Sequence, residues 1–407
     1  MFVTRLVGPL LILSMCLPAF AAVLDPSPDQ LAAQGRLEES ASAWKREIQA
    51  REGSDRVRAY FHQGLVLQQL GLHRDAQTAL TEALTRDGLP LENRVQGLTA
   101  LAYSLSRLGQ AEDAEARLRE AATMSQTATD RARVALTEGR ILWEREDSAL
   151  ALVRFEAAHP LSAGDARLQA AVALFGTQAM PKDKPSVTPK ALSWLQGGLD
   201  HLAAEPATHE VLYLRIGLLR GMFLWAKTMD QTERMPLLRK IQADLTQSAY
   251  DAKTQDNARS RTYALGYLGE LSEALDQIET AVAQTREAVF IAQAASLADP
   301  LYRWHWQLGH LLERRAGRGG RPRRSDHGLS GSRRDARPHS PGCDREPGRS
   351  FAVPSASWPG LSGICESPAT PGHDPARWHP GSSAGSEVGA GCHGASQDRG
   401  TSGLFQG

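Results

Sequence analysis

The sequence predicts an all-α solenoid, in which helix-turn-helix units follow one another along the chain, with a disordered C-terminal tail. First, small and large residues recur with a period of about 37 residues between Gln30 and Ala158. Second, apolar residues repeat at three- and four-residue spacing over most of the following region. Third, the composition changes sharply near Ala316, which marks the end of the helical pattern.

Two successive units show the repeat most clearly. They contain Tyr60, Gly64, Leu67, Gly71, Ala76, Leu80 and Ala83, then Leu98, Ala102, Leu105, Gly109, Ala114, Leu118 and Ala121. Gly and Ala let two paired helices approach closely, while Leu fills the space between units. Gly71 and Gly109 stand where a first helix must end, because Gly tolerates a left-handed backbone. This pattern resembles tetratricopeptide repeats.

Two further units extend the array. The third contains Ala135, Gly139, Leu142, Ala151, Phe155 and Ala158, with Glu146 where the inter-helix Gly is expected. An incomplete unit with Leu31, Gly35, Leu37 and Trp44 precedes the others. Residues 22–160 are therefore predicted to form about four units, the first of them incomplete.

The period fades after Pro160, and residues 161–315 are predicted to be degenerate helical repeats. A Pro-rich polar loop leads into a helix near Pro189, and two amphipathic segments cover residues 209–229 and 232–251. Regular spacing returns at Leu265. The last segment carries Tyr302, Trp304 and Trp306. On a helix Tyr302 and Trp306 share one face, which favours packing between repeats over a stacking platform.

Residues 316–407 differ in kind from the repeats. They hold 18 of the 36 Gly and 10 of the 22 Pro, so too little apolar surface is available to offset chain entropy. We therefore expect this tail to be disordered. The residues from Ser325 to His339 are also compatible with codons whose neighbouring frame spells A-I-M-A-Y-Q-A-A-V-E-T-L-A-P-I, a helix-forming string. The tail thus reads as an out-of-frame continuation.

The N-terminus has the pattern of a secretory signal peptide over residues 1–21. Arg5 precedes an apolar run, and Ala19-Phe20-Ala21 supplies a small-residue cleavage site. The run is too short for a membrane span. Met15 before Cys16 is too bulky for a lipoprotein site, so lipid anchoring is not expected. We expect a periplasmic or secreted protein without stable membrane insertion.

Charge and site chemistry exclude several function classes. The 46 Lys and Arg balance the 46 Asp and Glu, which argues against nucleic acid as a partner. Residues 22–315 contain no Cys and no Gly-rich phosphate loop, so neither a metal nor a cofactor is expected. The tail's Cys and His spacing fits no zinc pattern. These residues are Cys343, Cys365, Cys392, His327, His339, His373, His379 and His393.

Three stretches near the end of the repeats carry a narrower resemblance. They are Ala264-Leu265-Gly266-Tyr267-Leu268-Gly269-Glu270-Leu271, Thr285-Arg286-Glu287-Ala288, and residues 301–312. They resemble the tetratricopeptide region that precedes the caspase-like module of bacterial CHAT-domain proteins. The resemblance implies a downstream module similar to a Cys/His peptidase. No residue of this sequence matches that module's catalytic positions, so none is assigned.

In tetratricopeptide arrays, ligands lie along the surface lined by the first helices. The equivalent positions here are Arg58, Phe61, Gln68, Gln69, Tyr103, Arg107, Arg133, Arg140 and Trp143. Four Arg on one groove favour an acidic peptide or a C-terminal carboxylate. The alternative is an ordinary solvated helix face.

We therefore expect a non-catalytic scaffold that binds a protein or peptide. Two alternatives stay open at this point: a fragment of a CHAT-type peptidase whose catalytic module lies beyond a frameshift, and a decayed gene without a role.

Overall fold

The computed structural model describes residues 25–318 of the chain, with side chains to residue 317. Fifteen α-helices and one short 3-10 turn, Pro185–Val187, form this part, and it contains no β-strand. The predicted signal peptide and almost all of the predicted tail lie outside the described residues. None of the described helices is long and apolar enough to cross a membrane.

The helices form pairs, and each odd-numbered helix from α1 to α13 packs against the even-numbered helix that follows it. The odd-numbered helices are α1 Pro28–Ala33, α3 Gly53–Gln69, α5 Leu91–Arg107, α7 Ala128–Glu144, α9 Ala166–Ala179, α11 His209–Ala226, α13 Ala258–Ala274 and α15 Ala298–Arg318. The even-numbered helices are α2 Leu37–Ala50, α4 His73–Thr85, α6 Ala111–Met124, α8 Ser148–Leu161, α10 Thr188–Leu202, α12 Gln231–Thr254 and α14 Ile278–Ala294. Consecutive odd-numbered helices from α3 to α15 also contact one another and form one layer. This is the all-α, tetratricopeptide-like arrangement that the repeat predicts.

Close contacts at glycine positions set the register of the pairs. A Cβ atom on Gly64 would lie 2.6 Å from Leu80 Cγ, and one on Gly139 would lie 2.6 Å from Phe155 Cε1. In both pairs the partner stands sixteen residues further along the chain. Since a larger side chain would overlap its partner, these two helix pairs pack in one alignment only.

The turns between paired helices share a left-handed backbone. Gly71 and Gly109 adopt φ values of 74° and 78°, as expected for glycines that end a helix. Glu146 stands at the corresponding turn of the third unit and adopts φ 65°. For a residue with a Cβ, this conformation costs roughly 1–2 kcal/mol. The turn geometry is therefore retained even where the glycine is absent.

Helices also form where the sequence period fades. The pair α9 and α10 fills this region, and α10 begins at Thr188, next to the expected start at Pro189. The two amphipathic segments correspond to α11 and α12, although α11 ends at Ala226 and α12 extends to Thr254. The largest hydrophobic cluster of the described residues extends from this region to α15 and includes Trp225 and Trp304.

The start of the array meets helices far along the chain. Helix α1 contacts α11, and Arg259 of α13 forms an ion pair with Glu38 of α2, with Nη2 and Oε1 2.6 Å apart. Between them, a Cβ on Gly35 would lie 2.5 Å from Asn257 Oδ1 and 2.9 Å from His209 Nδ1. The chain between α1 and α13 therefore closes on itself. We call this contact of Gly35 and Glu38 with His209, Asn257 and Arg259 the closure.

The closure can be tested by comparing two glycines that share a backbone conformation. Gly35 has φ 75° and a tight environment, whereas Gly109 has φ 78° and no atom within 4 Å of the position that a Cβ would take. Both alanine variants bear the same backbone strain. We expect Gly35→Ala to lower the free energy of unfolding by about 1–3 kcal/mol more than Gly109→Ala, because it also displaces its neighbours. Urea denaturation followed by circular dichroism measures both. Equal losses would contradict the closure.

Candidate functional site

The layer of odd-numbered helices surrounds a cavity of about 400 Å³. Helices α3, α5, α7, α9 and α11 contribute its walls, and Leu37 at the start of α2 also lines it. Five of the nine residues predicted for the groove line this cavity: Gln68, Gln69, Tyr103, Arg133 and Arg140. The repeat pattern therefore predicts the part of the cavity wall that these five side chains form.

The other four predicted groove residues lie elsewhere. Phe61 is 2% exposed and packs in the core with Leu80, so it is not available to a ligand. Trp143 packs against the hydrophobic cluster of α7 to α9. Arg58 is exposed beside His62, with Arg58 Nε and His62 Nε2 3.5 Å apart. Arg107 forms an ion pair and does not line the cavity.

Arg140 lies between two aromatic rings. Its guanidinium carbon lies 4.0 Å from the centroid of the Tyr103 ring and 4.7 Å from that of the Phe175 ring. Cation–π attraction of this kind stabilises a guanidinium by about 0.5–2 kcal/mol and fixes its plane. The two rings leave the N–H groups at the guanidinium edge as the part that can donate hydrogen bonds to a ligand.

A second set of contacts holds Tyr103 in place. Its hydroxyl donates a hydrogen bond to Glu144 Oε1 over 2.6 Å, and Glu144 Oε2 lies 3.3 Å from Arg107 Nη1. Burial raises the pKa of Tyr103 above its usual value, so the hydroxyl stays protonated. Glu144 thus forms an ion pair with Arg107 and also holds in place the Tyr103 ring on which Arg140 stacks.

The remaining arginines of the cavity have acidic neighbours. Arg167 lies 3.2 Å from a Glu205 oxygen and 3.1 Å from a Glu210 oxygen. Arg133 Nη2 lies 3.7 Å from Asp165 Oδ2. Arg140 forms no ion pair with a carboxylate side chain of residues 25–317. Arg140 is therefore the cavity's most available positive charge.

The sequence pattern missed the walls that α9 and α11 supply. Phe175, Arg167 and Glu210 line the cavity, yet they lie where the period fades. One signal for α9 is present in the sequence, because Gly176 follows Gly139 at the spacing of the repeat. A Cβ on Gly176 would lie 2.6 Å from Trp194 Cζ3, so this glycine has the same close-packing role.

His209 lines the cavity on the side of the closure. It is buried, and its Nδ1 lies 3.3 Å from Asn257 Nδ2, which donates to it, and 3.1 Å from Ser260 Oγ. Burial, and then the Arg259 guanidinium, lower the pKa of His209 from 6.5 to about 4. The imidazole is therefore neutral at ordinary pH.

Among the residues that the structure describes, no group of three or more His, Cys, Asp or Glu side chains is arranged to hold a metal ion. The Cys and His residues considered in the sequence begin at His327 and lie outside the described residues.

Comparisons with known proteins identify no family. No protein-family model matches the chain. No curated protein matches it either. Among solved structures, a STAND signal-transduction ATPase with a tetratricopeptide repeat sensor, from Pyrococcus horikoshii, is similar with a TM-score of 0.45 and 17% identity. The match covers 71% of this chain and 47% of that protein, so this chain matches about half of its length.

The buried His209 predicts acid sensitivity with a definite sign. The unfolded chain binds a proton at this residue below about pH 6.5, whereas the folded chain does so only near pH 4. The contribution of neutral His209 to the free energy of unfolding is complete above pH 6.5 and is lost as the pH falls towards 4. We expect a loss of about 1.4 kcal/mol per pH unit in this window.

Urea denaturation at several pH values compares the protein with His209→Asn, which keeps an acceptor near Asn257. The pH slope of the variant should be smaller by about one proton. The exposed His201 gives the matched control His201→Gln, which should keep the slope of the unmodified protein. An unchanged slope in His209→Asn would show that the histidine titrates normally.

Proposed function

We propose that this chain is a non-catalytic protein-interaction scaffold whose cavity receives a carboxylate of an acidic peptide partner. The observation that carries the proposal is Arg140, a guanidinium held between two aromatic rings that forms no ion pair with a described carboxylate. A buried or half-buried positive charge without a counterion favours binding of an anion.

The other groups in the cavity suit a peptide end. Gln69, Gln96 and Thr99 line it with amide and hydroxyl groups, and Leu136 and Leu168 supply apolar surface. A volume of about 400 Å³ falls within the range of small-ligand sites and accommodates only the last residues of a peptide. This combination supports recognition of a short acidic segment or a C-terminal carboxylate.

The net charge of the chain is consistent with this local recognition. Lys and Arg equal Asp and Glu in number, so no general excess of positive charge attracts polyanions. Selectivity for an acidic partner then depends on the cavity itself. Because the N-terminus resembles a signal peptide, the proposal includes that the chain binds its partner outside the cytoplasm.

The proposal can be tested with an arrayed library of acidic peptides that have a free carboxyl terminus, using the full chain. Peptides that bind are measured again in solution by fluorescence anisotropy, alongside the same peptides as C-terminal amides. We expect Arg140→Gln to weaken binding about 10- to 100-fold, because a charge-assisted hydrogen bond contributes about 1.5–3 kcal/mol.

Arg58→Gln is the matched control, since Arg58 lies outside the cavity and should not affect binding. A library without any binder, or equal affinities for Arg140→Gln and the unmodified protein, would remove this assignment.

A second candidate function follows from the resemblance to CHAT-domain proteins. In it, the chain is the repeat region of a Cys/His peptidase whose catalytic module is encoded beyond a frameshift. The feature that favours it is the exposed outer face of α15, the last described helix. Sequencing the DNA beyond the codon of Arg315 decides between the candidates. A corrected frame should lead into a caspase-like module, whereas a verified frame to Gly407 leaves the scaffold alone.

A further inference from the structure

The last described helix, α15, is held tightly on one side only. Trp304 is fully buried in the notch at Gly266, where a Cβ would lie 2.3 Å from the indole ring. The Arg303 guanidinium donates to Glu270 Oε1 over 3.1 Å, and Gln307 Nε2 donates to the Gly266 carbonyl over 3.1 Å. The inner face of α15 therefore packs against both α13 and α14.

The outer face of α15 carries exposed apolar residues. Tyr302 is 66% exposed, Trp306 is 56% exposed, and Leu312 also lies at the surface. Trp306 stacks on His310 of the same helix, with ring centroids 6.1 Å apart. As expected from the sequence, Tyr302 and Trp306 share a face and Trp304 points elsewhere. We call Tyr302, Trp306, Gly309 and Leu312 the outer face.

Helix α13 shows what such a face normally binds. Leu271 and Leu311 are both fully buried and stand forty residues apart, which aligns the two helices. In this alignment, the outer face of α15 corresponds to Thr262, Gly266, Gly269 and Ser272 of α13. Of these, Thr262 donates to the Ala288 carbonyl of α14 over 2.5 Å, and Ser272 donates to Gln284 over 2.7 Å.

Gly309 is the clearest difference between the two helices. A Cβ on Gly269 would lie 2.3 Å from Thr285 Oγ1, so α14 fills this notch. Thr285 stands sixteen residues after Gly269, the same offset that links Gly64 to Leu80 and Gly139 to Phe155. A Cβ on Gly309 would meet no atom within 4 Å. The notch is present on α15, but no described side chain enters it.

We infer that the outer face of α15 is a docking surface for one amphipathic α-helix that places small side chains against Gly309. This inference does not depend on the cavity or its ligand. The occupant is defined by α14, which buries Thr285, Ala288, Val289 and Ala292 in the equivalent contact. A docking helix needs small or moderately sized residues with this spacing.

The string compatible with the neighbouring frame has the required pattern. It begins at the codon of Ser325, sixteen residues after Gly309. At the four positions that correspond to those buried residues of α14, it places Ala, Ala, Tyr and Ala. It then ends in L-A-P-I, similar to Leu297-Ala298-Asp299-Pro300-Leu301 after α14. The proposed occupant is therefore a helix with this pattern of residues that belongs to a separate polypeptide.

The experiment uses the full chain and a labelled, end-capped peptide with the sequence A-I-M-A-Y-Q-A-A-V-E-T-L-A-P-I. Fluorescence anisotropy should give saturable binding, and a scrambled peptide should not bind. Gly309→Leu fills the notch and should weaken binding at least tenfold, because overpacking at a close contact typically costs about 1–3 kcal/mol. Circular dichroism checks that the variant is folded.

Gly197→Leu is the matched control, because Gly197 is also a helical glycine with no atom near its Cβ position. It should leave the affinity unchanged. Hydrogen exchange should slow in residues 301–312 when the peptide is added. Absence of binding, equal affinity for Gly309→Leu, or binding of the scrambled peptide overturns the inference.

Two other occupants are distinguishable in the same samples. Sedimentation velocity that shows a dimer abolished by Gly309→Leu would assign the face to a second copy of the chain. In a monomer without peptide, exchange protection of residues 301–312 that is lost in Gly309→Leu would assign the outer face to another part of the same chain. Either result rejects the separate helix.

Discussion

The close approach of paired helices at glycine is the constraint on which the rest of this structure depends. At Gly64 and Gly139 the partner side chain occupies the volume of the missing Cβ. A sliding movement of either helix would bring that side chain against a larger neighbour, so the pair has one register. The register then determines which face of each odd-numbered helix meets the next odd-numbered helix. The cavity arises from this layer, since its walls are the faces that the pairing leaves free.

The closure changes how stability is distributed along the array. In an open solenoid each unit contacts only its neighbours, and stability is a sum of unit and interface contributions. Here Glu38 and Arg259 are 221 positions apart in sequence and form an ion pair. Arg259 is 6% exposed, so loss of this ion pair removes one partner from a largely buried charge. Unfolding of α1 and α2 is therefore coupled to the helices that surround His209. The same contact borders the cavity, which links its shape to the ends of the closed segment.

The sequence predicts the fold class and the paired helices, and it locates part of the candidate site. Gly64 marks a close contact, and Gly71 and Gly109 mark left-handed turns that glycine adopts with least strain, so their spacing predicts the pairing without a structure. The sequence spacing does not predict the cavity walls formed by α9 and α11. Their positions are filled by residues such as Phe175 and His209, which are compatible with many helical packings. The closure could not be predicted either, because a repeat period carries no information about contacts between distant units.

The sequence predicts four arginines in the groove, whereas in the structure only Arg140 is available to a ligand in the cavity. This difference has a physical cause. Sequence spacing places an arginine on a helix face, but its availability depends on neighbours from other helices. Glu144 neutralises Arg107, and Asp165 lies near Arg133, because α7 and the start of α9 bring carboxylates towards them. Arg140 instead meets the rings of Tyr103 and Phe175, which attract a cation without accepting its hydrogen bonds. A carboxylate that approaches Arg140 thus displaces no ion pair with a side chain of residues 25–317. Specificity of the cavity would then depend on one oriented guanidinium rather than on a diffuse positive surface, and it would be less sensitive to salt than binding by a charged groove.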